Sequence, residues 1–241
     1  MKAIILAAGR GSRMKKLTND RPKCMVELDG ETLLSRQISA LRSGGATEIA
    51  VVTGYRREML ADQADREFHN PRWAETNMVS SLATAAEWLQ EAPCIISYSD
   101  IFYGADAIRQ LVESRTPLAI TFDPNWQDLW TRRFGDPLLD AETFRISGDG
   151  DILEIGKHPS KLDEIEGQFM GLLRFTPEAW HELDTMRMEM FDDARDKLDM
   201  TGALQSIIER GNMCVKGICL SGDWGEVDSA DDLRIYQSTL S

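Results

Sequence analysis

The sequence predicts an α/β fold organised around a mixed, mostly parallel sheet. Two features point there: short unbroken apolar runs, the signature of strands buried on both faces, and segments of helical period between them. Strands alternating with helices imply βαβ crossovers, and ligands on such sheets gather at the carboxyl ends of the strands.

Residues 3–8 (AIILAA) form the first predicted strand, which ends at Gly9. Residues 32–41 read as a helix with Leu33, Leu34, Ile38 and Leu41 at helical spacing, stopped by Gly44-Gly45. Residues 48–53 (EIAVVT) are the next buried strand, ended by Gly54, and residues 57–64 a short helix. Residues 76–89 open with a Thr-Asn cap signal and place Met78, Leu82, Ala85, Ala86 and Leu89 on one face, which predicts a single helix. Residues 94–98 are a third buried strand, running into Ser99-Asp100, and residues 117–122 another. The pattern then loosens across a Trp-rich stretch, residues 123–140, before short strand signals at 144–147, 152–155 and 168–175. Helices are expected at 177–190 and 201–210, strands at 215–220 and 224–227, and a closing helix after Asp228. No linker, repeat or low-complexity segment interrupts residues 1–241, so one domain is expected.

Composition narrows the partners. Lys+Arg 27 against Asp+Glu 40 gives a net charge of -13, a field that repels nucleic acid and anionic membranes. An anionic ligand must therefore be held by a local basic site. Cys24, Cys94, Cys214 and Cys219 lack metal-ligand spacing, as do His69, His158 and His181, so the cysteines read as buried free thiols. No run approaches membrane-spanning length, and residues 3–8 lead into glycines instead of a cleavage site. These observations predict a cytoplasmic protein.

The segment "LAAGRGSRMKK" (residues 6–16) gathers Arg10, Arg13, Lys15 and Lys16 around Gly9 and Gly11 just after the first strand. A dinucleotide-binding fingerprint requires a third glycine where Met14 stands, and a Walker A loop requires a Gly-Lys pair that is absent. Two readings remain. The small residues let backbone N–H groups reach phosphates while the basic side chains neutralise charge, or the loop is a structural turn with solvated cations. Lys23 follows Pro22 in a segment of extended or turn geometry that aims its ammonium at the same anion; by itself, a surface lysine would read the same way.

The pattern "LAAGRGSRM..LT...PK" (residues 6–23) resembles the signature of nucleotidyltransferases that join a nucleoside triphosphate to a phosphorylated metabolite. One departure is Lys16, where that family usually has proline. Further along, "TNMVSSL", "IISYSDIFY", "WTRRFGDPLLDAETF", "EIEGQFMGLLRF" and "GDWGEVDSADDL" resemble the cytidylyltransferase branch that acts on phosphocholine, 2-aminoethylphosphonate and phosphoglutamine, and residues 126–144 look most like the phosphoglutamine enzymes. The resemblance spans nearly the whole chain. It implies a three-layer α/β/α, Rossmann-like fold with a nucleotide-binding half near residues 1–122 and an acceptor-binding half near 123–241.

By the same resemblance Asp100 and Asp228 hold Mg²⁺, consistent with that ion's preference for one or two carboxylates plus phosphate oxygens. Arg13, Lys23, Asp100 and Asp228 are then the catalytic set. Arg13 and Lys23, with the backbone of Gly9, Gly11 and Ser12, are expected on the triphosphate, and Arg10 assists. Ala7, Ala8 and Gly9 meet the base, joined by Asn77 or Ser81, although Asn77 equally suits a helix cap. Asp231 and Asp232 suit the first turn of the last helix. Lys157 resembles the family lysine on the acceptor phosphate, while Trp126, Trp130, Arg132, Arg133, Glu166 and Gln168 are further acceptor candidates. A cationic head group would find aromatic faces or a carboxylate at Trp126, Trp130 and Glu166, residues that are equally at home in a core. The implied partners are CTP and a small phosphorylated or phosphonate acceptor. Two other readings stay open: a sugar 1-phosphate nucleotidyltransferase using UTP or another triphosphate, and a non-catalytic nucleotide-binding regulatory subunit. The oligomeric state is not predicted.

Overall fold

In a computed structural model the chain is described at residues 1–220 and 222–240, with the side chains of 15, 16 and 238–240 left outside the description. The strands are β1 (Lys2–Ala7), β2 (Glu27–Leu28), β3 (Glu31–Thr32), β4 (Glu48–Thr53), β5 (Arg66–His69), β6 (Cys94–Tyr98), β7 (Ile101–Tyr103), β8 (Leu118–Asp123), β9 (Phe144–Ile146), β10 (Ile152–Ile155), β11 (Gln168–Phe175), β12 (Val215–Cys219) and β13 (Trp224–Glu226). The helices are α1 (Leu33–Ser43), α2 (Met78–Ala83), α3 (Ala86–Glu91), α4 (Ala105–Glu113), α5 (Trp126–Phe134), α6 (Pro177–Glu189), α7 (Asp192–Lys197), α8 (Met200–Arg210) and α9 (Ala230–Leu240).

Seven strands form the central sheet in the order β12-β8-β11-β6-β1-β4-β5, and β11 alone runs antiparallel to its neighbours. The fold is thus the mixed, mostly parallel sheet expected. β1 lies in its interior between β4 and β6, in register from Lys2 with Glu48 and Cys94. Ile4, Ile5, Ile49, Ile95 and Ile96 are fully buried, which explains why these strands read as continuous apolar runs instead of alternating ones. At their carboxyl ends the loops after β1 and β6 come side by side.

Several elements depart from the sequence reading, each for a local reason. Residues 57–64 hold only a short 3-10 turn, Arg57–Met59. Beyond it the Asp65 carboxylate accepts from the Ile49 N–H at 2.7 Å, and Arg57 pairs with Glu67 at 2.7 Å, so the chain is drawn onto the sheet edge as β5. The single helix expected at 76–89 is two, α2 and α3. The Thr84 hydroxyl donates to the Ser81 carbonyl at 2.7 Å and Ala85 leaves the helical region, with φ -95 and ψ 18. The loose Trp-rich stretch contains α5, whose Trp126, Leu129 and Trp130 are buried at helical spacing. The sequence reading left α4 and α7 unassigned. Cys24 and Cys94 are buried as expected, and burial pushes both thiols up to about 12; Cys214 and Cys219 are exposed. Among the described residues no helix is long and apolar enough to cross a membrane.

Candidate active site

Two clefts, each of about 320 Å³, share a wall at the carboxyl edge of the sheet. The first is lined by Ala8, Gly9, Gly11, Ser12, Arg13, Lys23, Asn77, Ser81 and Asp100, together with Trp73, Thr76 and Tyr98. Of the residues expected on a nucleotide, Ala7 and Arg10 are absent from this lining; Ala7 is the last residue of β1 and pairs with Thr53. Arg10 turns away: its guanidinium sits 5.6 Å from the Tyr55 ring and donates to Asn19. Lys15 and Lys16 fall outside the described side chains.

The glycine loop has a more specific role than general openness. Gly11 is left-handed, with φ 68 and ψ 50, and a Cβ there would stand 2.8 Å from Lys23 Cβ. Only glycine lets the loop adopt this turn while the Lys23 stem passes beneath it. Gly9, in contrast, faces open space within 4 Å of its would-be Cβ.

Lys23, 6% exposed, bridges two carboxylates that lie far apart in sequence. Its Nζ is 2.7 Å from Asp100 Oδ2 and also bonds Asp228 Oδ1. What unites them is a small hairpin-like pairing: β13 runs antiparallel to β7, Glu226 opposite Ile101, and the Val227 N–H donates to the Asp100 carbonyl at 2.9 Å. Burial opposes a charge on Lys23, but Asp100 and then Asp228 reverse this and raise its pKa. Burial likewise opposes a charge on Asp228, and Lys23, Arg13 and Arg133 together hold its carboxyl below the usual range. Arg13 reaches Asp228 Oδ1 at 2.9 Å from the solvent side.

Glu226 is a residue of this centre that the sequence did not single out. One oxygen each from Asp100, Glu226 and Asp228 lies within 4.8 Å of the others. The signal was its position two residues before Asp228, which in a strand places both on one face. Burial, reinforced by the Asp228 and Asp100 charges, pushes the Glu226 carboxyl up to about 8. Asp100 Oδ1 and Asp228 Oδ2 are buried without a hydrogen-bond partner. A hard divalent cation with oxygen preference would satisfy both and relieve the crowding of three carboxylates, so the residues present fit such an ion.

The acceptor candidates separate. Trp130 and Gln168 line the second cleft, with Asp140, Glu142, Asp199, Glu226 and Asp228. Arg133 does not face it: its side chain is fully buried behind the carboxylates, 2.9 Å from Asp232, 3.2 Å from Glu226 and 3.5 Å from Asp228 Oδ2. Trp126, 4% exposed, packs edge-on against Trp130 in the core. The exposed Glu166 carboxylate accepts from the Ile146 N–H at 2.7 Å and so fastens β9. Lys157, its side chain 53% exposed, pairs with Glu154 at 3.3 Å, and Arg132 is exposed; none of these lines either cleft. Asp232 does begin α9, as expected, and accepts from Asp228 N, Ser229 N and Ser229 Oγ, which fixes the turn that presents Asp228. Asn77 caps α2 through Oδ1 and also borders both clefts, so its two expected roles are compatible.

A Rossmann-like α/β sheet that carries a glycine-rich basic loop and a paired-aspartate centre at its carboxyl edge defines a nucleotidyltransferase. Residues 3–160 match the model of the MobA-like NTP transferase domain, and the chain belongs to that family. It is 38% identical over 251 aligned positions to the CTP:phosphoglutamine cytidylyltransferase of Campylobacter jejuni subsp. jejuni serotype O:2, covering 98% of each chain. It is 32% identical to the 2-aminoethylphosphonate cytidylyltransferase of Lancefieldella rimae over 75% of this chain and 73% of the relative. The inositol-1-phosphate CTP transferase of T. maritima superposes with a TM-score of 0.76 at 20% identity, over 99% of this chain and 95% of that one, a likeness of fold.

Proposed function

We propose that this enzyme transfers the cytidylyl group of CTP to a phosphate or phosphonate oxygen of a small metabolite and releases pyrophosphate, with phosphoglutamine the favoured acceptor. One observation carries the reading: the two clefts share a wall that includes Arg13, and Lys23 and Asp100 of the first are joined through the Lys23 ammonium to Asp228 of the second, so a nucleotide in one and an acceptor in the other would present their phosphates to the same charged centre. The C. jejuni relative supports both the nucleotide and the acceptor.

An acceptor oxyanion attacks the α-phosphorus of CTP, the new P–O bond forms, and the bond to the β-phosphate oxygen breaks. The oxyanion is already a nucleophile, so no side chain need remove a proton. The protein's work is to bring two anions together and to stabilise the charge that develops. Backbone N–H groups of residues 9–12 and the Arg13 guanidinium hold the triphosphate. Lys23 supplies a buried positive charge at the reacting phosphate, on a stem fixed by the Gly11 turn. Asp100 and Asp228, with Glu226 beside them, would hold Mg²⁺, which when bound supplies charge neutralisation at the two phosphates. The fold and four free thiols fit a reducing compartment, and we place the reaction in the cytoplasm.

The test is pyrophosphate release with each of the four nucleoside triphosphates against phosphoglutamine, 2-aminoethylphosphonate, phosphocholine and glucose 1-phosphate, with the adduct identified by mass. CMP-phosphoglutamine as the main product is expected, and Asp100→Asn or Asp228→Asn should lower its rate at least about 100-fold. Preferred turnover of a sugar phosphate with UTP would replace this reading, and CTP binding without turnover of any acceptor would leave a regulatory nucleotide-binding protein.

A further inference from the structure

The second cleft has an acidic end that the transfer chemistry does not use. Asp140, Glu142 and Asp199 line it along with Glu226 and Asp228; Asp140 is near enough to the reacting centre to feel the charges of Arg133, Asp228 and Arg13, and Glu142 feels those of Asp199 and Asp140. No ion pair among the described residues involves any of the three. Glu142 makes only a long contact with Thr201 Oγ1, at 3.5 Å, and Asp199 spends one oxygen on the Gly202 N–H. Burial pushes the carboxyls of Asp140 and Glu142 up; Arg133 and Arg13 oppose this at Asp140, while at Glu142 the Asp199 and Asp140 charges add to it against a weaker opposing charge on His158. Burial outweighs these more distant counter-charges, so a cationic group bonded directly to the carboxylates would lower the cost of gathering them.

Two further groups in the same lining are unsatisfied. Trp130 is 1% exposed, and its indole Nε1 has no hydrogen-bond partner. Gln168 Oε1 is buried without one, while its Nε2 donates to the Phe169 carbonyl. The cleft therefore offers unmet acceptors for N–H groups at Gln168 and the carboxylates, and one unmet donor at Trp130 for a ligand oxygen.

We infer that this end of the cleft is an ammonium subsite: Asp140, Glu142 and Asp199, with Gln168 Oε1, receive a protonated primary amine of the acceptor, and Trp130 Nε1 donates to an oxygen on the same molecule. The acceptor is then bipolar, its phosphate at Lys23 and its ammonium at the acidic end. A primary ammonium suits the site better than a quaternary one, because the unmet groups are acceptors that require N–H donors. A neutral sugar would leave the three carboxylates without a directly paired cation.

This inference rests on the transferase reading above, and binding separates the two. Titration calorimetry with Mg²⁺ and a non-hydrolysable CTP analogue compares phosphoglutamine with its des-amino analogue, alongside turnover of both. The amine should improve affinity and kcat/KM at least about 100-fold, as expected when a built polar site loses its partner. In Glu142→Gln and Asp140→Asn that preference should fall about tenfold or more, with affinity for the CTP analogue within about twofold of wild type as the check on folding. Equal binding of the two acceptors, failure of both to bind, or a preference unchanged in Glu142→Gln would overturn the inference. Amine-selective binding without turnover would sustain it and defeat the transferase reading instead.

Discussion

Gly11→Ala adds one methyl group at the point where the glycine loop crosses Lys23, and the structure fixes what that methyl meets. The backbone there has φ 68, which costs an L-residue about 1–2 kcal/mol. The new Cβ would lie 2.8 Å from Lys23 Cβ, 2.9 Å from its Cδ and 3.1 Å from its Cγ, well inside the ~3.5–4.0 Å of a normal carbon contact. Lys23 is 6% exposed and tied to Asp100 and Asp228, so its stem has little room to yield, and overpacking of this kind costs about 1–3 kcal/mol. The sum, about 2–5 kcal/mol, corresponds to a Tm loss of roughly 4–20 °C for a chain of this size. Gly9→Ala is the stability control, since its Cβ meets nothing within 4 Å, and should stay within about 0.5 kcal/mol of wild type. Thermal denaturation followed by circular dichroism measures both. Pairing Gly11→Ala with Lys23→Ala removes the Cγ and Cδ part of the collision, so the two changes should be non-additive by about 1 kcal/mol in a double-mutant cycle. A Gly11→Ala protein that melts with the wild type, or a cycle with no coupling, would refute the close-approach account of this loop.

The buried guanidinium of Arg133 is expected to hold the acidic centre together from behind. Arg133→Met strands Glu226, Asp228 and Asp232 and should cost about 3–5 kcal/mol in a urea unfolding series. Arg133→Lys keeps the charge but not the fork that spans three carboxylates, and should fall between the two; a Met variant as stable as wild type would show that the network contributes nothing. Thiol titration gives a simpler check. In the native protein Cys214 and Cys219 should react with a disulfide reagent near neutral pH, while Cys24 and Cys94, buried and pushed up to about 12, should react only after denaturation. Four rapidly reacting thiols in the folded state would contradict the burial of β6 and of the turn that bears Cys24.

The chemistry-bearing segments were legible because each is local. A glycine loop after a buried strand, a lysine after proline and an aspartate at a strand end lie in short stretches that could be matched to the nucleotidyltransferase signature, although each by itself reads equally as a turn, a surface charge or a cap. The edge strand β5 was hidden because its residues are polar and their pairing is enforced by Arg57, Asp65 and Ile49 from elsewhere. Helix α5 was obscured because its tryptophans read equally as a ligand cage or a core, and only packing chooses between those.

The same division runs through the site. The sequence alone determined the mostly parallel sheet, because apolar runs act over a few bonds, and its resemblance to nucleotidyltransferases singled out the glycine loop and the two aspartates proposed for the reacting centre. The tertiary structure decided which charges share a volume. Pairing of β13 with β7 delivers Glu226 and Asp228 to Asp100, while Arg133 turns inward behind them and Lys157 and Glu166 are left at the periphery. Electrostatic role depends on distance and burial, and neither is a property of a residue's place in the chain.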